Sequence, residues 1–195
     1  MGTRDHTTVG TMETVIQPLR EDIMKRAIGL VLLFASTALL AQDKNPVTSV
    51  VKQILPRQEK NLVGAVEEMP ADKFSYKPTE QQMTFGHLVL HIIEANNYLC
   101  SQIGNQPEIK APVPLKESDG KDKLVAALKA SFQFCSTALD KVDDSKLADE
   151  VELFGGRKGP RAFAMIALTN DWADHYSSAA MYLRLNGLLP PTAKK

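Results

Sequence analysis

Chemistry at a single point in this chain would have to come from three histidines and two aspartates: His87, His91, Asp171, Asp174 and His175. His87 and His91 are four apart, so on a helix they share a face, with Glu94 and Tyr98 close to the same row. Asp171 and His175 are also four apart, and Ser178 and Tyr182 continue their row. Packing these two faces together in a helical bundle would gather two imidazoles and a carboxylate in the interior, which is how bundles build metal sites. Three N/O ligands with one open position describe a catalytic site for zinc, nickel or a related divalent cation, able to lower the pKa of a bound water or thiol. The alternative is a polar cluster satisfied by hydrogen bonds, with the aspartates solvated and His87 on the outside of its helix. Neither an HExxH motif nor the Glu-x-x-His pairs of di-iron bundles occurs. Glu94 is placed to orient a ligand imidazole rather than to bind metal itself.

The elements that must position these side chains are four amphipathic helices. "NPVTSVVKQILPRQEKNLVGAVEEM" opens with Asn45 as N-cap and Pro46 as first helical residue, and Pro56 predicts a kink near its middle. An extended connector, "PADKFSYKPTEQQ", leads to a second helix from about Thr84 to Ile103, capped by Gly104. Its apolar stripe is Phe85, Leu88, Ile92, Leu99 and Ile103. Ser118 can cap a third helix with Leu124, Leu128, Phe132, Cys135 and Leu139 on its core face. The connector "DDSKLADEVELFGGRKG" has room for a short hairpin around Gly155-Gly156. The last helix starts after Gly159-Pro160 and ends at Gly187, with Pro190-Pro191 blocking continuation. No run alternates long enough to build a sheet, so the expected fold is all-α, a four-helix bundle.

At 195 residues, 44% hydrophobic and 24% charged, the chain has room for one globular domain and extra segments. Lys plus Arg and Asp plus Glu number 23 each, which leaves no field to attract nucleic acid. Near the front, Met24-Lys25-Arg26 is a basic n-region, Ala27 to Leu40 an apolar run, and Ala41 closes a cleavage site before Gln42. This predicts a signal peptide over 24–41 and a mature domain over 42–195, exported to the periplasm or the extracellular space. The run is shorter than a bilayer span, so no stable membrane insertion is expected after cleavage. Residues 1–23 read as an upstream start assigned in error, the alternative being a cytoplasmic extension before an uncleaved anchor. Export opens the question of Cys100 and Cys135. A simple helical hairpin would separate them by about four turns, too far for a disulfide, whereas a long crossing loop would bring them together. Pairing and core packing both stay open, ahead of a catalytic thiol.

"MPADKFSYKPTEQQMTFGHLVLHIIEAN" and "DWADHYSSAAMYLRLNGLLPP" resemble the first connector, second helix and closing motif of the DinB/YfiT-like superfamily of four-helix-bundle metalloenzymes. The likeness spans about Asn45 to Pro191, and Tyr182-Leu183-Arg184, Gly187 and Pro190-Pro191 all fall in register. It implies a metal site in which the histidine of the second helix is His91 and the second ligand of the last helix is His175. The first falls on Asp171, where the superfamily has histidine, and its Arg-Gly-Gln is replaced by Tyr176-Ser177-Ser178. The implied site is thus His91, Asp171 and His175 around one divalent cation, zinc or nickel. The implied activity is metal-dependent transfer of a thiol, or hydrolysis, on a small-molecule substrate; the rival is a non-catalytic exported bundle binding a small ligand or protein. A homodimer is compatible with either.

Overall fold

A computed structural model of the chain describes residues 44–109 and 114–194. The expected leader and the residues before it lie outside these described residues. Asn45–Lys195 forms one compact unit, containing helices α1 (Pro46–Glu68), α2 (Phe85–Gly104), α3 (Lys121–Asp140) and α4 (Arg161–Leu185). Between α3 and α4 lies a hairpin of β1 (Glu150–Leu153) and β2 (Arg157–Pro160), paired antiparallel. Gly155 and Gly156 take positive φ in its turn, which only glycine adopts without strain. Among the described residues no helix is long and apolar enough to cross a membrane.

The direction of each helix follows from its cross-contacts. Asn96 of α2 faces Ser131 of α3, and Cys100 faces Cys135, so α2 and α3 run parallel. The connection between them returns the chain to the start of α2, where the Thr84 hydroxyl donates to Glu117 Oε2 at 2.6 Å. Cys100 and Cys135 form a disulfide with Cα atoms 5.0 Å apart, and the crossing connection is what makes this pairing available. Closing a loop of 35 residues stabilises the fold by roughly 3–4 kcal/mol in the chain-entropy account. One turn further on, a Cβ on Gly104 would lie 2.9 Å from Ala138, so glycine permits the close approach of α2 and α3. The cap expected at Gly104 is supplied by Asn105, which takes the left-handed conformation at φ 47°.

α4 runs antiparallel to α2: Arg161 donates to Ile103 O at one end, and Tyr182 Oη donates to Met83 O at 2.6 Å at the other. The core between the helices holds Leu62, Phe85, Ile92, Leu128, Phe132, Met165 and Trp172. Pro56 is accommodated within a single α1 helix.

Two expected caps are supplied differently. Asp144, from the segment after α3, accepts from Val47 N and Thr48 N at 2.9 Å each and from Thr48 Oγ1 at 2.6 Å. It satisfies the first turn of α1, while the Asn45 side-chain oxygen accepts from Asp144 N at 3.1 Å. Ser118 lies in a 3-10 turn, and α3 begins after Gly120 instead. The C-terminal end of α4 is as expected: Gly187 has φ 74°, and Leu188 N donates back to Leu183 O at 2.9 Å.

Candidate metal centre

Thr84 accepts from His87 N at 3.1 Å and so sets the first turn of α2 and the phase of the face it presents to α4. His87 comes out of that phase on the surface: its side chain is 55% exposed, and Nδ1 lies 3.8 Å from Glu117 Oε2. His91, one turn later, lies at the α2–α4 contact, its ring centroid 4.8 Å from that of His175. Asp171 and His175 meet it from α4. The ligand atoms offered by His91, Asp171 and His175 all lie within 4.8 Å of one another. The side chains of His175 and Asp171 are only 12% and 17% exposed.

Local hydrogen bonding aims one of these imidazoles. His175 Nδ1 is 2.7 Å from the carbonyl oxygen of Asp171, a group that only accepts, so Nδ1 carries the proton and Nε2 presents the lone pair. Asp171 Oδ1 lies 3.5 Å from the same nitrogen. Asp171 Oδ2 is buried with no hydrogen-bond partner. Burial pushes the Asp171 carboxyl above the usual carboxylate range, and Asp174 adds to this, while His175 and His91 oppose it. The donor set fits a divalent cation: two imidazoles, a carboxylate, and one carboxylate oxygen that nothing in the protein satisfies.

The two neighbours singled out in the sequence do not join this cluster. Asp174 is exposed and acts on Asp171 through its charge alone. Glu94 is exposed and faces a pocket on the α3 side of α2, so it does not orient an imidazole. A surface groove of about 1010 Å³ lies between α1 and α3, lined by residues such as Lys60, Glu67 and Lys129, and includes none of the three candidate ligands.

A support for the site went unread in the sequence. Trp172, next to Asp171, donates from Nε1 to Asn96 Oδ1 at 2.7 Å, and Asn96 Nδ2 donates to Ser131 Oγ at 3.0 Å. Trp172 and Asn96 are both fully buried, so they pin α4 to α2 in the register that brings Asp171 and His175 to His91. The available signal was an asparagine in the apolar stripe of α2 and the chain's single tryptophan beside a candidate ligand.

With helices, crossing connection and His/Asp cluster in place, comparison with known proteins is decisive on family. The sequence profile of the DinB superfamily matches residues 54–176. The chain belongs to the DinB superfamily. No curated protein matches it in sequence. Among solved structures, a DinB-like protein from Bacillus cereus ATCC 10987 is 19% identical, with a TM-score of 0.58 over 69% of this chain and 89% of that one. The DinB-like protein YjoA from Bacillus subtilis is 17% identical, also with a TM-score of 0.58, over 74% and 99%. The mycothiol-dependent maleylpyruvate isomerase is 13% identical, with a TM-score of 0.54 over 67% of this chain and 59% of the isomerase. At these identities the likeness is one of fold, and the activity of this DinB-superfamily member must be argued from its own residues.

Proposed function

We propose that this chain is an exported metalloprotein of the DinB superfamily, in which His91, Asp171 and His175 hold one divalent cation, zinc or nickel, beside an open position for a small molecule. The observation that carries this reading is Asp171 Oδ2, buried without a partner in a side chain that clusters with two imidazoles. A purely structural polar cluster would be expected to close its hydrogen bonds. Bound there, a divalent cation would favour the deprotonated form of a thiol or of water, which suits thiol transfer or hydrolysis on a small electrophile. The fold shared with a mycothiol-dependent isomerase supports a thiol cosubstrate.

The chain's own groups prepare the site. The Asp171 carbonyl holds His175 in the tautomer with Nε2 free. The Asp171 carboxylate supplies negative charge where burial disfavours it without a counter-charge. The apolar run over 27–40 supports export, and the Cys100–Cys135 disulfide is consistent with an oxidising compartment.

The test is elemental analysis of protein purified without a histidine tag. We expect one equivalent of divalent metal in the wild type and loss of it in His91→Ala and in His175→Ala. A folded wild type that takes up no zinc or nickel would overturn the metal reading in favour of a non-catalytic bundle.

A further inference from the structure

α4 is the least amphipathic of the four helices, because it is apolar on two opposite sides. Its inward side carries Leu168, Trp172, Ala179 and Leu183 into the core. Its outward side carries Phe163, Ile166, Met181 and Leu185, each 50–57% exposed, whereas α2 and α3 expose no apolar side chain of that size among the described residues. A helix that is apolar all round is normally buried all round, and a long exposed apolar stripe marks a contact surface.

The order of residues along the stripe points to what covers it. Steps of three and four residues lead from Phe163 and Ile166, through Asn170, Ala173 and Ser177, to Met181 and Leu185, and every one of these positions is exposed. Read from either end, the types run alike: two large apolar side chains, a small or polar middle, two large apolar side chains. Turned antiparallel onto a second copy about a two-fold axis near Ala173 and Asp174, the stripe meets itself in register. Phe163 then faces Leu185 of the second copy, Ile166 faces Met181, and Asn170 faces Ser177. A two-fold contact demands this self-complementarity, whereas an unrelated partner does not. The area is adequate as well. α1 and α4 start side by side on the segment after α3, where Asp144 accepts from Val47 N and Leu147 O accepts from Ala162 N. A face two helices wide, about 20 Å, and about 33 Å long offers roughly 700 Å², close to the ~800 Å² that each partner gives to a stable interface.

We propose that the outward face of α4 is the interface of an antiparallel homodimer of this chain. Asp171 and His175 lie about a quarter-turn around α4 from the stripe, so the proposal stands or falls apart from the metal reading.

The experiment is sedimentation velocity of the whole protein in excess chelator, with a dimer expected at micromolar concentration. Ile166→Lys and Met181→Glu each set a charge against an apolar side chain of the second copy. Each should weaken association by at least roughly tenfold, with the helical circular dichroism unchanged because both positions are exposed. Within one chain the two positions are about 22 Å apart along the helix, so they meet only across two copies. An equimolar mixture of the two variants should therefore recover a dimer, with the introduced lysine against the introduced glutamate. A monomeric wild type, a dimer that persists in both variants, or a mixture that associates no better than either variant alone would each overturn the proposal.

Discussion

Two polar clusters adjoin where α2 meets α4, the first of them reaching on into α3, and they are finished differently. In the first, Asn96 accepts from Trp172 and donates to Ser131, which passes a hydrogen bond on to Leu128 O. Those bonds are all made within the protein, and Asn96, Ser131 and Trp172 are fully or almost fully buried. In the second, Asp171 adjoins Trp172 in sequence, yet one oxygen of its carboxylate has no partner. Two imidazoles stand beside it, one with its proton already committed to a backbone carbonyl. The difference separates a polar group kept for register from one left open for something outside the chain. A closed network rigidifies and can be costly to cut, whereas an open one holds a penalty that a ligand relieves.

The sharpest break of this contrast is at Asn96. Replacing it by leucine strands the Trp172 Nε1–H and removes the donor to Ser131. The cost should be about 2–4 kcal/mol, since more than one buried group loses its partner. Urea or thermal unfolding of the chelated protein measures it. Asp171→Leu should do the opposite in chelated protein, raising stability by about 1 kcal/mol because it removes an unsatisfied buried oxygen. The same substitution should abolish retention of metal. Equal destabilisation by the two leucines would show that the clusters are alike, and the argument from the unpartnered oxygen would fail.

Asp171→His sharpens the comparison further by replacing the carboxylate with the imidazole found at this position in the resembling motif. If Asp171 is a ligand, the change should move zinc affinity by at least about tenfold, a size typical of altering a ligand environment. It is read by competition with a chromogenic chelator. Unchanged affinity would remove Asp171 from the ligand set while leaving His91 and His175 in it.

How far the sequence disclosed this arrangement depends on the range of the interaction involved. The four helices were legible because apolar spacing and the Gly187 and Pro190 stop signals are local. The disulfide was not, because it depends on the path of the connection between α2 and α3, and residue types do not specify whether that path turns back or crosses. Asn45 was expected to cap α1 by itself, yet the cap is Asp144, about a hundred residues away in sequence, and such a partner leaves no local mark. At the site, spacing alone offered His87 and His91 equally. The choice came from the family resemblance; of the two, His91 lies with Asp171 and His175, and His87 lies on the surface beside Glu117.

Asp144 also supplies the mildest test, because it is a carboxylate completed by the protein where Asp171 is one left incomplete. Partial burial acts to raise its pKa, but the hydrogen bonds from the Thr48 hydroxyl and from the backbone N–H groups of Thr48 and Val47 outweigh this, and the net shift is downward. A carboxyl held lower in the folded state than in the unfolded one contributes stability above its unfolded value, near 3.9 for an aspartate. That contribution is lost as pH falls from there through the lowered folded value. Asp144→Asn should therefore lower the melting temperature modestly at neutral pH and bring the variant and wild-type melting temperatures together on acidification. A melting-temperature series from neutral pH down into the acid range reads this, with the Cys100–Cys135 disulfide kept intact. A difference that stays constant across the series would mean that the ionised carboxylate is not what caps α1, and that the contrast between a completed and an incomplete aspartate does not extend to these two.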